Sequence, residues 1–250
     1  MKYLFLRVVL ATAMATIGWT TIYAEVWPLM IERVDMLSRG QMEIDAGLAY
    51  EKGREYLDRE YDNTRIAPLG LRYGLGDSAE VGGFFAYSYN SADDHGAPDE
   101  SGLEGLTLFG KLGLNEYFSL QSGITFGGAD DIAPYANDGL DLFINIPMQR
   151  RIGSGLLYGQ FGYRVQGGDY DGTSFINYGV GYGLPVNNSL DLNVELVGEE
   201  AQKGTKNTLD LIIGGNFILN SKVRISPYIS VGLYEDSPDF AVGSLLHVML

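Results

Sequence analysis

From about residue 41 to residue 250, apolar and polar positions alternate with period two, in short stretches cut off by Gly, Asp, Asn or Ser. Between 118 and 127, Phe118, Leu120, Ser122, Ile124 and Phe126 share one parity, and Ser119, Gln121, Gly123, Thr125 and Gly127 share the other. Successive side chains of a strand point to opposite sides, so such a segment builds one apolar and one polar wall. The pattern predicts strands near 42–51, 65–75, 79–90, 103–114, 118–127 and 140–151, then near 156–166, 174–185, 190–199, 208–219, 223–234 and 240–250. Each is about ten residues long, the length a tilted strand needs to cross the hydrocarbon core. The outward set includes Leu106, Leu108 and Leu112, then Leu140, Leu142, Ile144, Ile146 and Met148, then Leu209, Leu211, Ile213 and Phe217. The fold class expected is all-β: a membrane-spanning antiparallel up-and-down β-barrel of about 12 strands. A soluble β-sandwich also alternates, but it mixes strand lengths and carries polar residues on its outer face.

The connections alternate too. Short turns fall at Gly76-Asp77-Ser78, Asn115-Glu116-Tyr117, Ile152-Gly153-Ser154, Val186-Asn187-Asn188 and Asn220-Ser221-Lys222. Longer, mostly acidic links lie between them, at 52–63, 92–102, 129–139, 168–173, 200–207 and 235–239. Short periplasmic turns and long external loops are the habit of bacterial barrels. With odd-numbered strands running outward, Tyr50, Tyr89, Phe126, Tyr163 and Phe240 fall near the external rim. Tyr73, Phe118, Tyr182 and Phe217 fall near the periplasmic one. Two aromatic girdles at the membrane interfaces are what amphipathic rings prefer.

Residues 1–24 have the layout of a cleaved signal peptide: Lys2 and Arg7, an apolar run from Val8 to Ala15, and Ile22-Tyr23-Ala24 before Glu25. Residues 25–40 form a lead-in that could lie in the periplasm or fold into the barrel mouth, with Met30, Ile31 and Val34 capping the lower opening. Residues 41–250 form the barrel domain. The 34 Gly and 17 Tyr suit curved, aromatic-rich strands, and zero Cys means no disulfide framework. A formal charge of −15 argues against a nucleic-acid partner. The partners expected are outer-membrane lipid, the barrel-assembly machinery during biogenesis, and a small-molecule solute. No cofactor and no metal is expected.

Two patches carry a family resemblance. Trp27-Pro28-Leu29 and Glu32-Arg33-Val34-Asp35-Met36-Leu37-Ser38-Arg39-Gly40 lead into Gln41-Met42-Glu43-Ile44-Asp45; Pro68-Leu69-Gly70-Leu71-Arg72-Tyr73-Gly74-Leu75-Gly76 precedes Glu80-Val81-Gly82. This layout resembles the outer-membrane barrel family labelled "MetA-pathway of phenol degradation". The resemblance implies a barrel in the bacterial outer membrane that passes small compounds, aromatic ones among the candidates. It brings no catalytic or binding residues with it.

The interior set expected is Glu43, Asp45, Arg72, Glu80, Glu104, Lys111, Asp141, Arg151, Arg164, Asp191, Glu195, Asp210, Arg224 and His247. Acids outnumber bases, so an open lumen would favour cations through its field. Alternatively, these groups pair with one another and fill the core. A twelve-stranded backbone cylinder is roughly 24 Å across, which leaves room for a narrow channel or a polar plug. Asp169-Tyr170-Asp171-Gly172 only faintly echoes a calcium loop, lacking the later ligands. Enzyme chemistry has little to work with. Ser244 and His247 are three apart in a strand and face opposite sides, and Asp93-Asp94-His95 sits in a loop. Three functions stay open: a passive channel for small molecules, a non-conducting surface barrel, and a barrel hydrolase as the minor alternative.

Overall fold

Twelve strands form in chain order: β1 (Met42–Tyr56), β2 (Arg59–Gly76), β3 (Ala79–Ala92), β4 (Glu100–Gly113), β5 (Ser119–Gly127), β6 (Leu140–Ile152), β7 (Gly155–Val165), β8 (Ser174–Asn187), β9 (Leu190–Ala201), β10 (Asn207–Ile218), β11 (Val223–Gly232) and β12 (Phe240–Met249). Every strand pairs antiparallel with its chain neighbours, and β1 pairs with β12 from Glu43↔Met249 to Lys52↔Phe240, which closes the barrel. The computed structural model describes residues 26–56, 59–92, 99–128, 139–167, 174–202 and 207–250. The expected signal peptide at 1–24, His95, and the loop acids Asp93, Asp94, Asp130, Asp131, Asp138, Asp169 and Asp171 lie outside the described residues.

The alternation becomes a wall. Leu108, Leu142, Ile144, Ile213 and Val242 stand exposed on the outside, while Thr107, Asp141, Asn145, Asn216 and Ala241, of the opposite parity, are buried inside. Tyr50, Tyr89, Phe126 and Phe240 at one rim, and Tyr73, Phe118, Tyr182 and Phe217 at the other, are exposed on that same outer surface. An exterior this continuously apolar suits hydrocarbon, where a closed sheet leaves no backbone group unpaired.

Three of the short turns on one side are built by Asn side chains. Asn115 Oδ1 accepts from the N–H groups of Tyr117 and Phe118 at 2.8 and 3.0 Å. Asn187 Oδ1 accepts from Ser189, and Asn220 Oδ1 accepts from Lys222 and Val223. An Asn that hydrogen-bonds the backbone two residues on replaces a main-chain turn. On the other side, β1 and β2 continue into the expected loop at 52–63, pairing through Glu51↔Asn63, Arg54↔Tyr61 and Tyr56↔Arg59. Beyond the bilayer a hairpin needs only its ladder, so the loss of apolar alternation there does not end the strands.

Bulges change the parity within several strands. The β2–β3 register shifts between Ile66 and Leu69, so Ile66 and Leu71 both face out and Arg65 joins Arg72 inside. The β3–β4 register shifts where Ala86 opposes Gly105 and Tyr87 opposes Leu103. There Gly105 takes φ 144°, a conformation that favours glycine. Leu103 and Leu106 consequently both face out, and Glu104 reaches the interior although it shares parity with Leu106. Arg151 differs from its expected interior place: it follows inward Asp141 and Asn145 in parity and still pairs with Leu156, but it lies exposed at the rim of β6 beside the turn at Gly153.

The outer surface makes a direct prediction. Ile144 is exposed midway between the two rims of β6. Ile144→Arg should cost about 2–4 kcal/mol of folding stability in lipid. Reversible denaturation in liposomes measures this, and a neutral result would contradict a lipid-facing wall.

Candidate functional site

The lead-in runs inside the barrel. Val26, Leu29, Ile31, Val34 and Leu37 are each no more than 6% exposed, and Val26 and Ile31 pack against Leu156 and Tyr158 of β7. The wall makes room for them with glycines. A Cβ at Gly214 would lie 2.7 Å from Leu29 Cδ1, one at Gly179 would lie 2.9 Å from Ile31 Cγ1, and one at Gly183 would collide with Val26. The segment thus forms a plug seated on β7, β8, β9 and β10, in the half of the barrel nearer the Asn-built turns.

A plug without regular structure brings backbone N–H groups into a dry place, where each must be satisfied. Glu195, fully buried, supplies the main acceptor: its two oxygens take the N–H groups of Leu29 at 2.6 Å and Met30 at 2.9 Å. The Tyr158 hydroxyl bridges Glu195 Oε1 at 2.8 Å and Asn193 Oδ1 at 2.9 Å. Gln160 accepts from Glu32 N, and Glu80 accepts from Leu37 N at 3.0 Å. Asn216 Nδ2 donates to the Trp27 carbonyl at 2.7 Å and to Asp191 Oδ1 at 2.6 Å.

Charges tie the plug to the opposite wall. Arg72 is the hub: its guanidinium donates to Asp45 at 3.0 Å, to both oxygens of Glu32 at 2.9 and 3.0 Å, and to Glu80 at 3.2 Å. Lys111, 1% exposed, donates to Glu32 at 3.0 Å and to the Asp35 carbonyl at 3.1 Å. Arg33 grips both oxygens of Glu43 at 2.9 and 3.1 Å. Burial pushes the Glu32 carboxyl up, but Arg72, Lys111 and Arg33 outweigh it and hold this lead-in group well below the usual carboxylate range. Buried charges persist only in such company.

Above the plug, on the side of the longer links, lies a cavity of about 680 Å³. Its floor is the plug from Trp27 to Arg33, and its wall includes Glu51, Arg54, Arg65, Glu104, Asp141, Arg164 and Asp210 beside Phe84, Phe143, Ile212, Tyr228 and Leu245. Arg65 and Glu104 form a bidentate pair at 2.6 and 2.7 Å, the two side chains that the bulges bring inward. Arg54 donates to Glu51 at 3.0 Å, and Arg164 donates to Glu199 at 2.8 Å while stacking on Phe175. Asp141 accepts from Gly167 N. Each of these three arginines is therefore paired with a carboxylate.

The expected interior residues thus divide by task. Glu43, Asp45, Arg72, Glu80, Lys111, Asp191 and Glu195 hold the plug or its supports. Glu104, Asp141, Arg164 and Asp210 line the outer cavity, and Arg224 and His247 meet Trp27. Sequence reading missed Glu32 and Arg33, which lie in the lead-in, Arg65, which a bulge turns inward, and Arg54, which follows the β1–β2 register shift between Glu51 and Arg54. Glu51 shares the parity of Glu43 and Asp45, a signal that could have found it.

Among the described residues, Glu43, Asp45 and His247 place ligand atoms within 4.8 Å of one another. Their carboxylates already engage Arg33 and Arg72, and His247 Nδ1 lies 2.6 Å from Asp45 Oδ1, so a metal would compete with resident cations. Ser244 pairs with outward Leu48, whereas His247 pairs with inward Asp45, so the wall separates them.

No protein-family model matches the chain, and no curated relative matches it. Solved structures do. The COG4313 outer membrane channel from Pseudomonas putida F1 superposes with a TM-score of 0.67 at 16% identity, covering 90% of this chain and 100% of that one. The translocator domain of the autotransporter NalP from Neisseria meningitidis gives 0.57 at 11% identity, covering 86% and 90%. The CymD monoaromatic hydrocarbon channel gives 0.51 at 8% identity, covering 85% and 88%. The shared feature is the fold of an outer-membrane β-barrel.

The anchor can be tested. Glu195→Ala should strip the Leu29 and Met30 amides of their acceptor and weaken plug docking by about 3 kcal/mol, since each buried amide left without a partner costs about 1–3 kcal/mol. Hydrogen exchange at those two amides should quicken roughly a hundredfold. Unchanged exchange would show that other contacts seat the plug.

Proposed function

We propose that the protein is a passive channel of the bacterial outer membrane for small molecules. The observation that carries this reading is the cavity of about 680 Å³ inside a closed transmembrane barrel. A barrel kept only for its surface gains nothing from such a cavity, since packed side chains would stabilise it more. Among solved structures of similar fold is one described as an outer membrane channel.

Mixed chemistry in the cavity favours a solute with an apolar body. Phe84, Phe143, Ile212, Tyr228 and Leu245 give it contact area, and the paired ions beside them are already neutralised locally. One fold neighbour is described as a monoaromatic hydrocarbon channel, and residues 27–82 resemble the phenol-degradation barrel family, which point the same way. The acid excess expected to favour cations is largely spent elsewhere, because Glu80, Asp191 and Glu195 support the plug. Selectivity between small cations and anions is accordingly modest.

The plug favours a second reading, a non-conducting barrel whose outer end serves surface contacts. Planar bilayers separate the two. The channel reading expects discrete single-channel steps in which neither potassium nor chloride carries nearly all the current, together with uptake of small aromatic solutes into liposomes. Silence in both assays would remove the channel and leave the surface barrel.

A further inference from the structure

The plug does not fill its half of the barrel evenly. A second, smaller cavity of about 210 Å³ lies on the other side of it, bordered by Asn220, Ser221 and Lys222 of the β10–β11 turn. Trp27, Glu43 and His247 border both this cavity and the large outer one. The two spaces therefore approach each other at one place, between the start of the plug and the β11–β12–β1 wall. Elsewhere the plug is held tightly, by Glu195, Glu80 and Lys111 and by side chains set against Gly179, Gly183 and Gly214.

At that place the group in the way is the Trp27 indole. The Arg224 guanidinium lies 3.5 Å from its ring centroid, that of Arg33 lies 4.3 Å away, and the His247 ring stands 5.8 Å off, tilted by 59°. Glu43 is fixed by Arg33, and His247 meets Asp45. The Trp27 backbone is tied through its carbonyl to Asn216. A side chain that rotates on a tethered backbone, held by stacking, opens more cheaply than a segment whose buried amides would lose their acceptors.

We infer that Trp27 is the gate of the channel: solutes pass from the outer cavity to the periplasmic one beside its indole, while the rest of the plug stays seated. This rests on the channel reading and adds the route. It opposes the simpler idea that the whole plug must leave before anything can pass.

The chain contains no cysteine, so engineered thiols report without interference. A pair at Ile31→Cys and Gly179→Cys sits where a Cβ at 179 would lie 2.9 Å from the Ile31 side chain, within bridging reach. In planar bilayers, oxidising this pair in the full-length protein should leave single-channel current unchanged. Current lost on oxidation and restored by reduction would mean that the plug must move out, and would overturn the proposal.

Trp27→Ala, checked for folding by heat-dependent gel migration, should raise conductance severalfold. An unchanged conductance would also overturn it. Trp27→Cys should be blocked by a charged thiol reagent, whereas Val34→Cys, whose side chain borders neither cavity, should not. Equal block at both would place the path elsewhere. No current from the wild type, and none from Trp27→Ala, would remove the channel reading itself and this route with it.

Discussion

A backbone that crosses hydrocarbon must hydrogen-bond entirely to itself, and a sheet meets that demand only by returning to its first strand. The pairing of β1 with β12 from Glu43 to Lys52 is that return. Closure then divides side chains into two populations by parity, and the inner population has to occupy a cylinder too wide for opposite walls to meet. The lead-in, the buried carboxylates and the cavity are three answers to this single problem of space.

The answers differ with height. In the plugged half, carboxylates act as acceptors for a main chain that lacks its own partners, Glu195 for Leu29 and Met30 and Glu80 for Leu37. Cations then balance what the amides leave uncompensated, with Arg72 and Lys111 converging on Glu32. In the outer half no segment crosses the lumen among the described residues, and acids pair instead with Arg54, Arg65 and Arg164 along the wall. The same residue types therefore build a stopper below and a lined space above.

Much of the fold could be read from the sequence because lipid enforces period two over every span. Leu140, Leu142, Ile144 and Ile146 announce β6 unaided, and the strand boundaries follow closely wherever hydrocarbon demands alternation. Where that demand lapses, legibility lapses as well. The sequence from 52 to 63 carries no apolar alternation, and Arg151 lies at the exposed rim of β6. Arg65 is hidden by the bulge between Ile66 and Leu69, since one extra residue sets the parity before it against the parity after it. The plug was the least legible part. Residues 26–40 have no periodicity, and their place is fixed by groups more than a hundred positions away, such as Gln160 and Glu195. Only the excess of inward carboxylates over inward bases hinted that something rich in donors had to meet them.

The separation along the chain between the plug and its seat bears on how the molecule can be made. Leu29 meets Glu195 across 166 positions, and the Trp27 carbonyl meets Asn216 across 189. The stopper belongs to the part synthesised early, whereas its socket consists of β7–β10, which come late. A loose tail could be laid into an open, curling sheet, but threading it into a finished cylinder would mean stripping water from its amides before any acceptor was at hand. The seam between the first and last strands is thus best sewn after the tail has found its socket, and maturation becomes a matter of sequence in time.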